Sequence, residues 1–400
     1  MKNNQYPITN NQYPNSEQTW NLKFETMKFV IDDKIPYIKG ALEPFGEVIY
    51  LPGPKTTSEI VKDADAIITR TRTICNEKLL AGSSVKFIAT ATIGFDHIDT
   101  DYCEAAGIKW TNAPGCNSKS VEQYIASTLF FLAEKKGFQL KGKTIGVVGV
   151  GQVGSKVARF CELLGMKVLL NDPPRERAEG SDKFCSLSEI MQKADIITLH
   201  VPLNMQGEDA TFHLADSHFF EALERNPIVI NSCRGEVLDT LAAKSALKNG
   251  QISGMVIDCW ENEPDIDLEL LELVDLATPH IAGYSKDGKA NGTSMSIQVV
   301  SRFFGLGIDD WQAKQVELPE KTTIDLDGSN LSGEEILAKA VLATYDIRTD
   351  DAALRKNPEI FEKLRGDYPV RREFPVYTIS AKNIEERTLE TLKSIGFIVL

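Results

Sequence analysis

The six residues Gly149-Val150-Gly151-Gln152-Val153-Gly154 constrain this chain more than any other segment. They follow the apolar run Thr144-Ile145-Gly146-Val147-Val148 and precede a helical pattern over 153–164. A strand that feeds Gly-x-Gly-x-x-Gly and then a helix makes the phosphate-binding turn of a doubly wound α/β sheet. Gly149 permits the tight turn, Gly151 lets the backbone approach a pyrophosphate, and Gly154 allows close helix–strand packing. The free N–H groups and positive end of the helix then face the phosphates. A second strand, 167–171, runs into Asp172, placed to accept hydrogen bonds from a ribose diol and to repel a 2′-phosphate. The expected cofactor is therefore NAD rather than NADP, tempered by Arg175, since a nearby Arg can receive that phosphate.

The rest of the chain fits this frame. Strand-like runs at 28–32, 48–51, 66–69, 86–90 and 108–111 alternate with helical text, including 99–106 between an Asp99 cap and Gly107. After Pro114-Gly115 a long helix, 118–135, precedes a second series of strands at 144–148, 167–171, 195–199, 227–231, 254–258 and 275–277. A helix over 289–304 would return the chain to the first domain. The expectation is two Rossmann-like, doubly wound parallel-sheet domains flanking a cleft. The substrate domain covers 27–117 and 285–305, and the NAD-binding domain 118–284. A small C-terminal α+β domain, 306–400, has strands at 320–326, 374–380 and 396–400 and helices at 333–345, 351–365 and 384–394. It shows no catalytic motif.

Composition narrows the function classes. The 400 residues carry a formal charge of -13, which disfavours nucleic acid and anionic membranes as partners. An anionic substrate would need a local basic pocket. Seven cysteines with no Cys-x-x-Cys pair argue against a disulfide framework or a thiolate metal site and fit a reducing cytoplasm. No metal site is expected. No apolar run is long enough to span a bilayer. Residues 1–26 hold Asn-Asn-Gln-Tyr-Pro twice, lack a signal-peptide core, and read as a disordered extension. An expression artefact, a misassigned start and a genuine tail all remain open for it.

Three strand ends of the second domain carry polar residues: Ser232-Cys233-Arg234-Gly235, Cys259-Trp260-Glu261-Asn262-Glu263-Pro264 and Thr278-Pro279-His280-Ile281-Ala282-Gly283-Tyr284. Ligands of open α/β sheets sit outside the carboxyl ends of the strands. Interconverting an alcohol and a ketone needs a hydride acceptor and a base for the hydroxyl proton. His280 suits the base, Glu263 would orient its ring, and Arg234 offers a bidentate fork for a substrate carboxylate. Taken singly, each has an ordinary structural reading. Converging beside a dinucleotide loop, they assign a reaction.

These segments resemble the D-isomer-specific 2-hydroxyacid dehydrogenases, through the glycine loop, Cys233-Arg234-Gly235, Asp258-x-Trp260-Glu261-x-Glu263-Pro264 and Pro279-His280-Ile281-Ala282-Gly283. The resemblance implies that Arg234, Glu263 and His280 are catalytic. It extends to a branch acting on a phosphorylated acid, through 90–99, 113–117, Asp172-Pro173-Pro174-Arg175 and Tyr284, and through Tyr345-Asp346-Ile347-Arg348 and Phe361-x-Lys363-Leu364-Arg365. That branch oxidises 4-phospho-D-erythronate in pyridoxal 5′-phosphate biosynthesis, and its extra C-terminal domain mediates homodimerisation. Gly149, Gly151, Gln152, Val153, Gly154, Asp172, Val201, Cys233, Asp258 and Gly283 are the implied or expected NAD-binding residues. Thr71, Thr92 and Tyr284 match substrate-contacting positions. Val201 stands where Thr is common, and Thr71 where Ser is common. Arg70 and Arg72 flank Thr71 and are candidates for the phosphate, with Arg348 a more distant one. Two alternatives stay open: another D-2-hydroxyacid dehydrogenase, such as one acting on phosphoglycerate, and an NAD(H)-sensing protein on the same scaffold.

Overall fold

A computed structural model describes residues 27–400, and the expected N-terminal extension lies outside the described residues. The chain divides into two compact units. One runs to Pro114 and resumes over Ala290–Gln315, and the other comprises Gly115–Lys289 and Val316–Leu400.

In the first unit, five strands form a parallel sheet: β1 (Met27–Asp32), β2 (Gly46–Leu51), β3 (Ala66–Thr69), β4 (Phe87–Thr90) and β5 (Lys109–Thr111), in the order β2-β1-β3-β4-β5. Side chains alternate between its two faces. Phe29, Ile31, Ile68 and Phe87 pack with Ile297 and Val300 of the helix Lys286–Phe304. Val30, Ile67 and Ile88 pack with Val61, Leu80 and Cys103 on the other side. Asp99 caps the helix Thr100–Ala106 by accepting from Tyr102 N, and Gly107 ends it at φ 73°.

The second unit holds a six-stranded parallel sheet of β6 (Thr144–Val148), β7 (Lys167–Asn171), β8 (Ile196–Leu199), β9 (Ile228–Asn231), β10 (Gly254–Ile257) and β11 (Leu276–Ala277). Its order is β11-β10-β9-β8-β6-β7. The chain leaves β6 for β7 on one side and returns to β8 on the other. The switch point therefore lies at the carboxyl ends of β6 and β8, where such sheets take ligands.

One face of this sheet packs Ile196, Ile230 and Val256 against Tyr124, Ile125 and Leu129 of the helix Ser118–Lys136. That cluster continues without a break into Ile336, Val341, Phe374, Ile379 and Leu392 of the C-terminal segment. The segment has its own parallel sheet, β12 (Thr323–Asp327), β13 (Thr378–Lys382) and β14 (Ile398–Val399). The other face packs Ile197, Val229 and Met255 against Phe220 and Leu270, joined by Leu354 and Phe361.

Two expected elements differ. The helix read over 351–365 is two helices, Arg348–Lys356 and Phe361–Gly366, separated by a 3-10 turn at Pro358–Ile360. Pro358 has no N–H to donate and disfavours helical geometry at Asn357. The strand read over 374–380 begins only at Thr378, because Phe374–Val376 forms a 3-10 turn around Pro375. Among the described residues no helix is long and apolar enough to cross a membrane.

Candidate active site

The glycine loop is shaped by its own backbone. Gly149 sits at φ 86°, where a Cβ would strike the His200 backbone, and a Cβ on Gly154 would run into the Gly149 carbonyl. At Gly151 the same Cβ would meet no protein atom within 4 Å. The first and third glycines are thus dictated by the fold. The second faces open space, as backbone approach by a ligand requires. The helix Gly154–Leu163 starts at the loop. Asp172 accepts from Val150 N at 2.8 Å and, as a helix cap, from Arg175 N at 3.0 Å. Arg175 is itself engaged by Glu179 at 2.6 and 2.8 Å and lies over the Phe184 ring. Its charge is compensated, which weakens the case for a 2′-phosphate there. Gln152 is exposed and packs beside Gly115, and Val153 and Val201 are half-buried.

The catalytic candidates converge on the ends of β9, β10 and β11. His280 Nδ1 and Glu263 Oε2 are 2.8 Å apart. A carboxylate can only accept, so the ring carries its proton on Nδ1 and presents Nε2 as the basic nitrogen. The other Glu263 oxygen accepts from Trp260 N at 2.8 Å, and the Trp260 indole donates to Thr278 O at 2.9 Å. His280 is held at φ 54°, in the left-handed region that a side chain disfavours, with its N–H shared between the Asp258 and Thr278 carbonyls.

Asp258, fully buried, organises the loop around it. Its carboxylate accepts from the Thr278 hydroxyl at 2.7 Å and from Ile281 N and Ala282 N at 2.7 and 3.0 Å. Burial pushes its carboxyl up from the ordinary value, while His280 and these three donors pull it down. Arg234 donates from Nη1 to the Cys233 carbonyl at 2.8 Å and is half-buried. Gly235 is needed beside it, because a Cβ there would collide with the Trp260 carbonyl. Cys259, Glu263 and His280 bring one ligand-type atom each within 4.8 Å of one another. Burial pushes the Cys259 thiol well up, however, and keeps it protonated, which suits a packed thiol better than a metal ligand.

Sequence reasoning passed over several residues here. Asn231 Nδ2 donates to the Arg234 and Cys259 carbonyls at 2.9 and 3.2 Å, tying two strand-end loops together. Fully buried Tyr124 meets the Thr278 hydroxyl at 2.8 Å. His200, hydrogen-bonded to Thr198 at 2.9 Å beside the glycine loop, is pushed down to about 3 by burial and stays neutral. Their partners lie far apart in sequence or carry no motif. Asn117, against which Gly283 closes, and Ser232 each hold a buried oxygen without a partner among the described residues. Orphaned polar atoms flanking Cys233 and Gly283 suit a site that receives a polar ligand.

In the first unit, Thr92 bonds Thr90 at 2.7 Å and the Gly94 carbonyl at 2.9 Å at the end of β4, and Thr71 and Arg72 are exposed after β3. Arg70 Nε lies 3.5 Å from buried Asp32 at the end of β1. In the second unit, Arg348 pairs with Asp346 at 2.7 Å and Glu134 at 3.6 Å. Tyr284 packs edge-on to Tyr368, with Lys289 Nζ 4.8 Å and the Arg365 guanidinium carbon 5.8 Å from its ring centre.

Residues 119–282 match the D-isomer specific 2-hydroxyacid dehydrogenase NAD binding domain, and 317–396 match a domain of unknown function. The chain is 55% identical to an erythronate-4-phosphate dehydrogenase of Bacteroides fragilis, over 88% of this chain and 99% of that one. It is 42% identical to one from Porphyromonas gingivalis, over 93% and 100%. The chain belongs to the erythronate-4-phosphate dehydrogenase family. Membership makes it an NAD-dependent D-2-hydroxyacid dehydrogenase. Among solved structures it is similar to a D-lactate dehydrogenase from Aquifex aeolicus complexed with NAD and lactic acid, at 27% identity and TM-score 0.56, over 72% of this chain and 100% of that one. An NAD+-bound 3-phosphoglycerate dehydrogenase of Entamoeba histolytica, at 24% and 0.59 over 73% and 100%, shares the fold. Those structures account for about three-quarters of the chain, whereas relatives in the erythronate-4-phosphate dehydrogenase family match most of its length.

Proposed function

We propose that this protein oxidises 4-phospho-D-erythronate to 2-oxo-3-hydroxy-4-phosphobutanoate, a step towards pyridoxal 5′-phosphate. The carrying observation is the 2.8 Å His280–Glu263 bond at the sheet's carboxyl end, in a chain whose relatives bear the name erythronate-4-phosphate dehydrogenase. A phosphoglycerate substrate has less support, since the phosphoglycerate enzyme is a likeness of fold alone.

Bound NAD supplies the hydride acceptor. Arg234 receives the substrate carboxylate through its planar fork, fixing C2 and its hydroxyl against His280. His280 Nε2 takes the hydroxyl proton as the C2–H bond breaks and the C2=O bond forms. The Glu263 carboxylate stabilises the imidazolium that results and holds the ring in its tautomer. Thr71, Thr92 and Tyr284 are assigned to substrate contact. Gly149, Gly151, Gln152, Val153, Gly154, Asp172, Val201, Cys233, Asp258 and Gly283 are assigned to the dinucleotide or to shaping its site. The C-terminal residues 306–400 are assigned to homodimerisation in a cytoplasmic enzyme, and light scattering on the full chain reads that mass.

The test presents purified protein with NAD and a panel of 2-hydroxy acids with and without a 4-phosphate, adding a 2-oxo acid to reoxidise retained NADH. Erythronate 4-phosphate is expected to be the best substrate. A faster rate on 3-phosphoglycerate refutes the assignment, and no turnover on any acid returns the sensor reading. His280→Ala is expected to lower kcat by roughly 10²–10⁴ while NAD still binds. Near-normal turnover in that variant removes His280 from the mechanism.

A further inference from the structure

His280 sits at φ 54°, and a strained backbone of this kind persists only where its surroundings over-determine it. Asp258 fixes one side of the turn that follows, accepting from the Ile281 and Ala282 amides at 2.7 and 3.0 Å. The other side is the Ile281 carbonyl. It takes the Tyr284 N–H at 2.8 Å, which closes the turn, and a second hydrogen bond from Arg371 Nη1 at 3.3 Å. We propose that Arg371, from the C-terminal segment, is a positioning residue for the His280 loop; this rests on His280 as the base, as assigned above.

Arg371 can position a loop because it is itself fixed. It is 4% exposed. Its Nε donates to Gln123 Oε1 at 2.9 Å and its Nη2 to the Ser120 carbonyl, both on the helix Ser118–Lys136. Its guanidinium carbon lies 3.9 Å from the centre of the Tyr345 ring. The Tyr345 and Tyr368 hydroxyls donate to Asp350 at 2.7 and 2.8 Å. Burial opposes the Arg371 charge, but Tyr368, Tyr345 and Asp350 outweigh it and keep the guanidinium protonated. A rigid fork that serves three acceptors ties the Ile281 carbonyl to the helix.

A second route runs from the same pair of residues to the Asp258 side. Tyr345 stacks on Tyr124 with ring centres 6.4 Å apart. Tyr124 donates to the Thr278 hydroxyl at 2.8 Å, which donates to Asp258 at 2.7 Å. Both sides of the turn are therefore referenced to Arg371 and Tyr345. Arg372 separates positioning from packing. It is buried in the same seam but holds Asp287 at 2.9 Å and the Val316 and Glu317 carbonyls at 3.3 and 2.8 Å.

The experiment compares full-length wild type, Arg371→Met, Arg371→Lys and Arg372→Gln. Stopped-flow absorbance of NADH in single turnovers gives a rate constant and an amplitude. Loss of folded molecules lowers the amplitude, whereas a misplaced base lowers the rate constant. In Arg371→Met the rate constant is expected to fall roughly 10- to 100-fold with NAD affinity kept. Arg371→Lys, which keeps the charge but loses the fork, should fall between and supplies the reading if Arg371→Met does not fold. Hydrogen exchange of the Ile281 and Ala282 amides, measured without substrate, should quicken in both Arg371 variants. Arg372→Gln should melt earlier yet keep the rate constant and the amide protection. Unchanged rate constants and exchange in folded Arg371 variants, or equal losses in Arg372→Gln, overturn the positioning role. A wild type that turns over no 2-hydroxy acid overturns the substrate reading instead, and the amide exchange still decides the role of Arg371.

Discussion

At the scale of single residues, burial decides what each ionisable group does. His280 and Glu263 remain partly accessible and paired, whereas Asp258 is sealed and spent on holding a loop. Glu122 shows burial most directly. It lies in the helix Ser118–Lys136, and burial pushes its carboxyl up to about 7 against the pull of Lys156, Arg159 and Lys119. In the unfolded chain it titrates near 4.5. Between those values the native state holds a proton that the unfolded state has released. Stability from this group is therefore complete below the unfolded value and is lost as pH rises through 7. Glu122→Gln should leave the melting temperature near pH 4 almost unchanged and stabilise the protein at pH 8 by about 2 kcal/mol, discounted for partial solvent access. Denaturant melts at the two pH values measure it, and equal effects at both would refute it. In the sequence, the pairing of Glu263 with His280 was legible because each sits just after a strand. The protonation of Glu122 was not, since its cations are 34 and 37 residues further on except for Lys119.

At the scale of elements, close approach of backbones sets the strand-end loops. A Cβ on Gly235 would strike the Trp260 carbonyl, so Arg234 and Glu263 are presented by loops that only glycine lets touch. Gly235→Ala is expected to cost about 2 kcal/mol of stability and to lower kcat along with it. A variant melting and turning over like the wild type would show that the loops can separate freely. The strands of both large sheets were readable as short apolar runs bounded by turn residues. The C-terminal helices were less so. Apolar spacing ran on through 351–365, and the breaking power of Pro358 was present in the text but outweighed by that periodicity. The docking of the helix Arg348–Lys356 was invisible from sequence. Asp351 accepts from Ala277 N of β11 at 2.7 Å, and Arg355 donates to the Leu271 and Val274 carbonyls at the C-terminal end of the helix Leu268–Leu273.

At the scale of the molecule, the C-terminal segment shares a core with the dinucleotide sheet. Phe374, Ile379 and Leu392 belong to one apolar cluster with Tyr124, Ile125 and Ile230. Buried Arg371 stitches the same seam, donating to Gln123 Oε1 at 2.9 Å, to the Ile281 carbonyl at 3.3 Å and to the Ser120 carbonyl. A chain ending at 316 should therefore expose that face and aggregate, with no cooperative melt by circular dichroism. A soluble, NAD-binding fragment would contradict the shared core. The sequence suggested a C-terminal unit over 306–400 through its fresh strand pattern, whereas the second compact unit resumes at Val316, and a seam made by residues some 250 positions apart leaves no local trace. The seam also orders events in time. The ribosome delivers Tyr124 and Ile125 long before Phe374 and Leu392, so the nascent sheet waits with one apolar face uncovered until those residues emerge. The polypeptide is most dependent on chaperones in that interval.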